Sequence, residues 1–263
     1  MEKYPPRIWW CPTGPLTFLP IHAAGCYKES GPGHIISDFV TSSYTPTLTT
    51  LLELYQNSRV MFQGLLAVAQ PCTPGQSMLP NARKELSDIE QADACLQTHT
   101  LSAEQATVDL VVAEMKKHSW VHLACHATQD TGEPTQSAFL LHDGRLALSR
   151  LITESFPYAD FAFLSACQTA AGDSKLSEEA VHLAAGMLSS GYRSVVATMW
   201  SIQDVHAPLV SSKVYQHLVH NSLLDSTSAA HALHHAVKHL RDQLGESSHE
   251  LFVSWVPYIH VGI

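Results

Sequence analysis

The sequence predicts an α/β fold: a mostly parallel central sheet with helices on both faces. Three observations carry that reading. Short continuous apolar runs, of the kind buried on both faces of a sheet, recur at 60–69, 120–125, 161–166 and 194–200. Segments with helical spacing stand between and after them, as parallel pairing requires. The third is "FLSACQTAAGDSKLSEEAVHLAAGMLSSGYRSVVATMWSIQD", which reads strand, helix, strand. Within it Leu176, Ala180, Leu183, Ala184 and Met187 mark one stripe of a helix over 173–190, and Gly191 closes that helix.

From the amino end, 8–11 and 16–20 read as short strands about the turn signal "PTGP". Residues 35–41 are expected to form a strand, and Pro46 precedes a short helix through Tyr55. The run 60–69 is β-like despite Gly64. "PCTPGQSMLP", 71–80, is a loop, because its prolines and glycine suit no regular element. Asn81 is placed to cap a charged helix ending near Ala94, and a second helix is expected over 103–117. A strand over 120–125 follows, then a hairpin, 139–141 with 145–148, about "HDG". After Asp204 come helices over 205–219 and 228–244, and a closing strand over 255–261. No internal repeat is visible, so one domain over 1–263 is expected.

Composition narrows the function classes. The chain has 263 residues, 45% hydrophobic and 15% charged, which suits a large buried core and not disorder. A formal net charge of −9 disfavours nucleic acid or an anionic membrane as a general partner. Cys11, Cys26, Cys72, Cys95, Cys125 and Cys167 form no C-x-x-C pair. With no signal peptide in view and no apolar run long enough to span a bilayer, a reducing, cytoplasmic setting is expected.

The chemistry gathers at two strand ends. "WVHLAC" leads into His126 and "FAFLSAC" ends on Cys167. If the two strands are parallel neighbours, His126 and Cys167 face one crevice at the carboxyl edge, where open sheets bind ligands. A thiol beside an imidazole is the minimal machinery of a cysteine peptidase. The imidazole removes the thiol proton and later protonates the leaving amine, while the backbone N–H groups of Cys167 and Ala127 are candidates for the oxyanion hole. The plain alternative makes Cys167 a small buried hydrophobe and His126 a satisfied polar group.

The motifs "HLACH", "LSACQTAAGD", "EEAVHLAAGMLSSGYRSVVATMWSIQD" and "WWCPTGPLTFLPIHAAG", in that relation to one another, resemble the CHAT domain of the caspase–separase superfamily. The resemblance runs from Ile8 to Gly262, and with "SSYTPTL" it is similar to forms found in fungal repeat proteins, where TPR-like segments accompany the domain. It implies a caspase-like three-layer sandwich, a His126–Cys167 dyad and no cofactor. The expected partner is a protein or peptide substrate, with a TPR-like repeat region of the same or another chain as regulator. One departure stands out: the family has glycine after the histidine, and this chain has Ala127. If that position needs positive φ, alanine is strained there.

For specificity, Asp204 follows "VVATMW" and matches an acidic position of the separase-like pattern, where a carboxylate would select arginine or lysine. It serves equally well as cap of the helix that follows. Ser165 lies near the same wall, or merely satisfies backbone. Glu178 and Glu179 suit the positive end of their helix without any function. His122, Cys125 and His126 imitate metal ligands, but strand alternation sends His122 and Cys125 to opposite faces, and His231, His235 and His239 read as a solvated helix face; no metal is expected. Two function classes remain: a cysteine endopeptidase, and a caspase-like module kept for assembly or signalling.

Overall fold

The computed structural model describes residues 4–27, 33–56, 60–130, 132–165, 167–168, 179–219, 224–244 and 249–263. In chain order the first elements are β1 (Arg7–Trp10), β2 (Thr41–Tyr44), α1 (Leu48–Gln56), β3 (Leu65–Ala69), α2 (Asn81–Glu90), β4 (Thr98–Ser102) and α3 (Val108–Met115). Next are β5 (Trp120–Ala124), β6 (His126–Thr128), β7 (Ala138–Leu140), β8 (Arg145–Ala147), α4 (Leu148–Thr153), β9 (Phe161–Leu164) and β10 (Cys167–Gln168). The chain closes with α5 (Glu179–Ser189), β11 (Ser194–Thr198), α6 (Ala207–Val219), α7 (Ala229–Leu244), α8 (His249–Trp255) and β12 (Tyr258–Gly262).

The described strands make an eight-stranded sheet, order β1-β2-β12-β11-β9-β5-β3-β4, and a four-stranded one, order β10-β6-β7-β8. Every neighbouring pair of the larger sheet is parallel except β11 with β12. The pleat explains why the central strands read as unbroken apolar runs. Val121 and Leu123, Ala162 and Leu164, and Val195 and Ala197 enter one core with residues of α1, α3, α4 and α5. Their neighbours Trp120, Phe161, Phe163 and Val196 enter a second core with α2, α6, α7 and α8. A residue on either face is therefore buried, so alternation disappears from the sequence.

Several elements differ from their expected form. Residues 16–20 are no strand: a 3-10 turn, Gly14–Phe18, occupies that region, with Gly14 at φ 57° and Pro15 fixing the turn. The strand expected over 35–41 lies later, as polar β2; before it, Ile36–Asp38 is a 3-10 turn tied by the Asp38 carboxylate, which accepts the N–H groups of Gly33, His34 and Ile35. β3 begins only after Gly64, which sits at φ 93°. α2 ends at Glu90, and Asn81 is its first residue, not its cap. β4 was not anticipated, because "THTLS" is polar and pairs on one side alone. The helix expected over 103–117 is α3, preceded by a 3-10 turn, Ala103–Gln105. The closing strand starts at Tyr258, since Trp255 belongs to α8. Ala166 and residues 169–178, including Glu178 and the start of the helix expected over 173–190, lie outside the described residues, and of Cys167 and Glu179 only the backbone is described.

Two glycines hold backbone conformations that no other residue would adopt as easily. Gly191, at φ 105°, ends α5, and the N–H of Tyr192 reaches back to the Met187 carbonyl at 3.2 Å. Gly262, at φ 102°, would place a Cβ 2.3 Å from the carbonyl oxygen of Arg193. Gly262→Ala is therefore expected to lower stability by about 2 kcal/mol or more, read as a fall in the urea midpoint. An unchanged midpoint would mean that β12 can withdraw from Arg193 without loss. Among the described residues no helix is long and apolar enough to cross a membrane.

Candidate active site

β5 and β9 pair in parallel from Trp120 with Phe161 to Leu123 with Leu164, so their carboxyl ends lie side by side. Past β5 the chain bends at Cys125 and resumes as β6; past Ser165 the other chain segment forms β10. β6 and β10 are parallel, with Cys167 in register with His126 and Gln168 with Ala127. The expected base and nucleophile thus lie opposite one another, but on the small sheet and not on the large-sheet strands that lead to them.

His126 is buried, and its Nε2–H donates to the carbonyl of Ser77 at 2.7 Å. A carbonyl only accepts, so in the neutral imidazole the lone pair resides on Nδ1. Nδ1 is buried without a hydrogen-bond partner among the described residues. An orphaned buried acceptor is costly in a purely structural side chain, by roughly 1–3 kcal/mol. It is what a general base keeps open for a substrate or nucleophile proton.

Ser77 belongs to a segment that reaches two more of the expected residues. The Ser165 hydroxyl, buried, donates to Glu85 Oε2 at 3.0 Å. Asp204 Oδ2 accepts both the backbone N–H of Asn81, at 2.9 Å, and its Nδ2, at 2.7 Å. The Asp204 carboxylate therefore ties the amino end of α2, where the helix dipole favours a negative charge, and not the helix that follows it in sequence. Pro80, the residue preceding α2, supplies no side-chain cap, which leaves that amide to a remote acceptor. Residues 77, 81 and 85 thereby hold His126, Asp204 and Ser165. Sequence reasoning named Asn81 only as a helix cap and did not single out Ser77 or Glu85.

Glu85 is itself almost wholly buried, and its other oxygen lies 3.2 Å from His122 Nε2, in ion-pair range though off a hydrogen-bond line. Burial first, and the nearby Glu85 charge second, push the Tyr215 hydroxyl well above its usual pKa, so it stays protonated, 3.2 Å from His122 Nδ1 in a shared hydrogen bond. Glu85 thus accepts from Ser165 on one oxygen and has His122 beside the other, with Tyr215 behind that ring. Glu85→Ala would strand the Ser165 hydroxyl and remove the carboxylate beside His122, and a stability loss of about 3 kcal/mol is expected in chemical denaturation. Glu85→Gln, which keeps an acceptor for Ser165, should lose less; equal losses would mean the cost is one of volume alone.

Ala127 is buried in β6 with β10 on one side and β7 on the other. Among the described residues the positive-φ positions other than glycine are Gln97, Ala103 and Leu224, so the strain considered for an alanine at 127 does not arise. Among the described residues no group of three or more His, Cys, Asp or Glu could hold a metal ion.

A family model described as the CHAT domain matches residues 1–263. No curated protein matches the chain in sequence. Among solved structures, separase of Saccharomyces cerevisiae in its complex with securin superposes with a TM-score of 0.58 at 12% identity, covering 87% of this chain and 14% of that one. The Arg-specific cysteine proteinase gingipain R gives 0.54 at 11% identity, covering 85% and 54%. The complex of pro- and mature domains of Porphyromonas gingivalis RgpB gives 0.51 at 9% identity, covering 85% and 55%. At such identities the likeness is one of fold: a mostly parallel sheet between helical layers, as in caspase-like cysteine peptidases. With the family model spanning its whole length, this chain belongs to the CHAT domain family.

Proposed function

We propose that the domain is a cysteine endopeptidase that cuts a protein partner after a basic residue. The observation that carries this reading is the ring of His126, anchored through Nε2–H to Ser77 with Nδ1 left open, while Cys167 stands in register on the neighbouring strand. Nδ1 takes the thiol proton as sulfur attacks the scissile carbonyl carbon, and returns it to the leaving amine as the C–N bond breaks. Water, deprotonated by the same nitrogen, then hydrolyses the thioester and restores the thiol. The Ser77 carbonyl accepts from Nε2–H throughout and steadies the imidazolium when it forms.

The oxyanion is assigned to the amides of Cys167 and Ala127. β6 has a partner on each side, so the Ala127 amide serves only by leaving its ladder, whereas β10 is the edge strand of the small sheet. Asp204 and Ser165, tied to α2 at Asn81 and Glu85, are assigned to the basic residue before the scissile bond. That one solved neighbour is Arg-specific supports the choice of charge. A fold of this kind sits with a protein partner in the separase–securin complex, within a far longer chain, which supports a protein partner here; a TPR-like repeat module, attached or separate, is proposed as that regulator on the family resemblance alone. A reducing, cytoplasmic setting is assigned because it keeps a thiol nucleophile from being oxidised.

An arginine-bearing peptide that alkylates thiols tests the reading. Its expected adduct is on Cys167, lost in His126→Ala. Labelling spread over the exposed Cys11, Cys26, Cys72 and Cys95, with no preference for Cys167, would leave the non-catalytic module as the function.

A further inference from the structure

Between α7 and the amino-terminal turns, over β2 and β12, lies a cavity of about 370 Å³. β11 separates those strands from β9 and β5, and none of the residues assigned above to catalysis or specificity lines it. Its size falls within the range of small-molecule pockets, roughly 300–1,000 Å³.

The wall is unbalanced in charge. Asp38 is its one carboxylate, and Oδ2 of that group already accepts three backbone N–H groups, from Gly33, His34 and Ile35. Against it α7 presents His234, Lys238 and Arg241, spaced to share one helix face. Lys238 makes no ion pair, and His234 no hydrogen bond, among the described residues. Arg241 donates to Ser37 Oγ at 3.2 Å and forms a long ion pair, 3.9 Å, with the other oxygen of Asp38, its guanidinium 5.0 Å above the ring of Trp255. Burial first, and then His231, Lys238 and Arg241, hold the His234 pKa down at about 4, which marks a desolvated and electropositive place. In a chain of net charge −9 such a concentration is against the average.

We infer that this cavity binds a small phosphate monoester carrying a ring, its phosphate taken by His234, Lys238 and Arg241 and its ring lying against Trp255. Three donors on one wall of the cavity suit a dianion with three terminal oxygens. A buried aromatic wall beside them suits a flat apolar body better than a free ion. Nothing in this assignment depends on the peptidase reading, because the two sets of residues do not overlap.

Calorimetric titration with phenyl phosphate, inorganic phosphate and phenol tests it, using the wild-type chain and Cys167→Ala. Phenyl phosphate is expected to bind both chains alike, inorganic phosphate to bind at least about tenfold more weakly, and phenol to give no saturable signal. Lys238 is exposed, so Lys238→Glu should fold normally and weaken phenyl phosphate by about tenfold or more. Arg241→Gln should do the same; if that variant fails to fold, the lysine variant decides alone. Phenyl phosphate that does not bind, binds no better than phenol, or binds Lys238→Glu as tightly as wild type would overturn the inference.

Discussion

Cys167→Ala is expected to abolish peptide hydrolysis, by about 10⁴-fold or more, while the unfolding free energy changes by no more than about 1 kcal/mol. The size of the first effect follows from covalent catalysis. On the proposed mechanism, without sulfur there is no thioester, and His126 is left with water, a poorer nucleophile. The smallness of the second follows from the place. β10 comprises two residues at the edge of the small sheet, and alanine keeps the backbone pairing with His126. Far-ultraviolet circular dichroism and urea titration of the variant, beside hydrolysis of fluorogenic arginine peptides, separate the two outcomes. Cleavage at the wild-type rate would remove Cys167 from the mechanism. Loss of both activity and folding would instead make the residue a structural one.

A companion substitution tests the anchor rather than the base. The Ser77 carbonyl is backbone, so side-chain changes at 77 should leave the His126 ring in place. His126→Ala removes the base and also strands that carbonyl, so it should lose activity together with some stability. The contrast between a stable Cys167 variant and a weakened His126 variant is what the observed burial and bonding require.

The parts of the fold legible in the sequence are those whose burial is symmetrical. β3, β5, β9 and β11 have cores on both sides, and their apolar runs announce them. β2, "TSSY", and β4, "THTLS", carry no such signal, because their neighbours and not their composition make them strands. The bend at Cys125 was equally hidden: "HLACHAT" has no glycine or proline to show that one strand ends and another begins. The site splits in the same way. His126 and Cys167 have chemistry that can be read from residue type, whereas Ser77 contributes a backbone carbonyl, which every residue has. Glu85 was visible in principle. It stands among Ala82, Leu86 and Ile89 on the buried stripe of α2, and a carboxylate there needs a partner. Asp204 could not be placed by local rules at all, since its partner Asn81 is 123 positions away.

Asp204→Asn is expected to reduce turnover of arginine peptides by about 100-fold or more while leaving the fold in place. The structure sharpens this test. One oxygen of Asp204 accepts both bonds from Asn81, so the amide oxygen of an asparagine can accept both and keep α2 anchored. What disappears is the charge. At the end of α2 that charge is worth only about 0.3–1 kcal/mol through the helix dipole, too little to unfold the domain. Facing a guanidinium withdrawn from water it is worth several kcal/mol, because an unpaired buried cation is costly. Substrate chemistry separates the two uses. Citrulline has the shape of arginine without its charge, so wild type should prefer the arginine peptide strongly and Asp204→Asn should prefer it little. If Asp204 only holds α2, the asparagine variant will keep both its rate and its preference for arginine, and Asp204→Ala, which releases Asn81, will lose stability instead. A carboxylate that reads substrate changes a ratio between two peptides; one that holds a helix changes a midpoint.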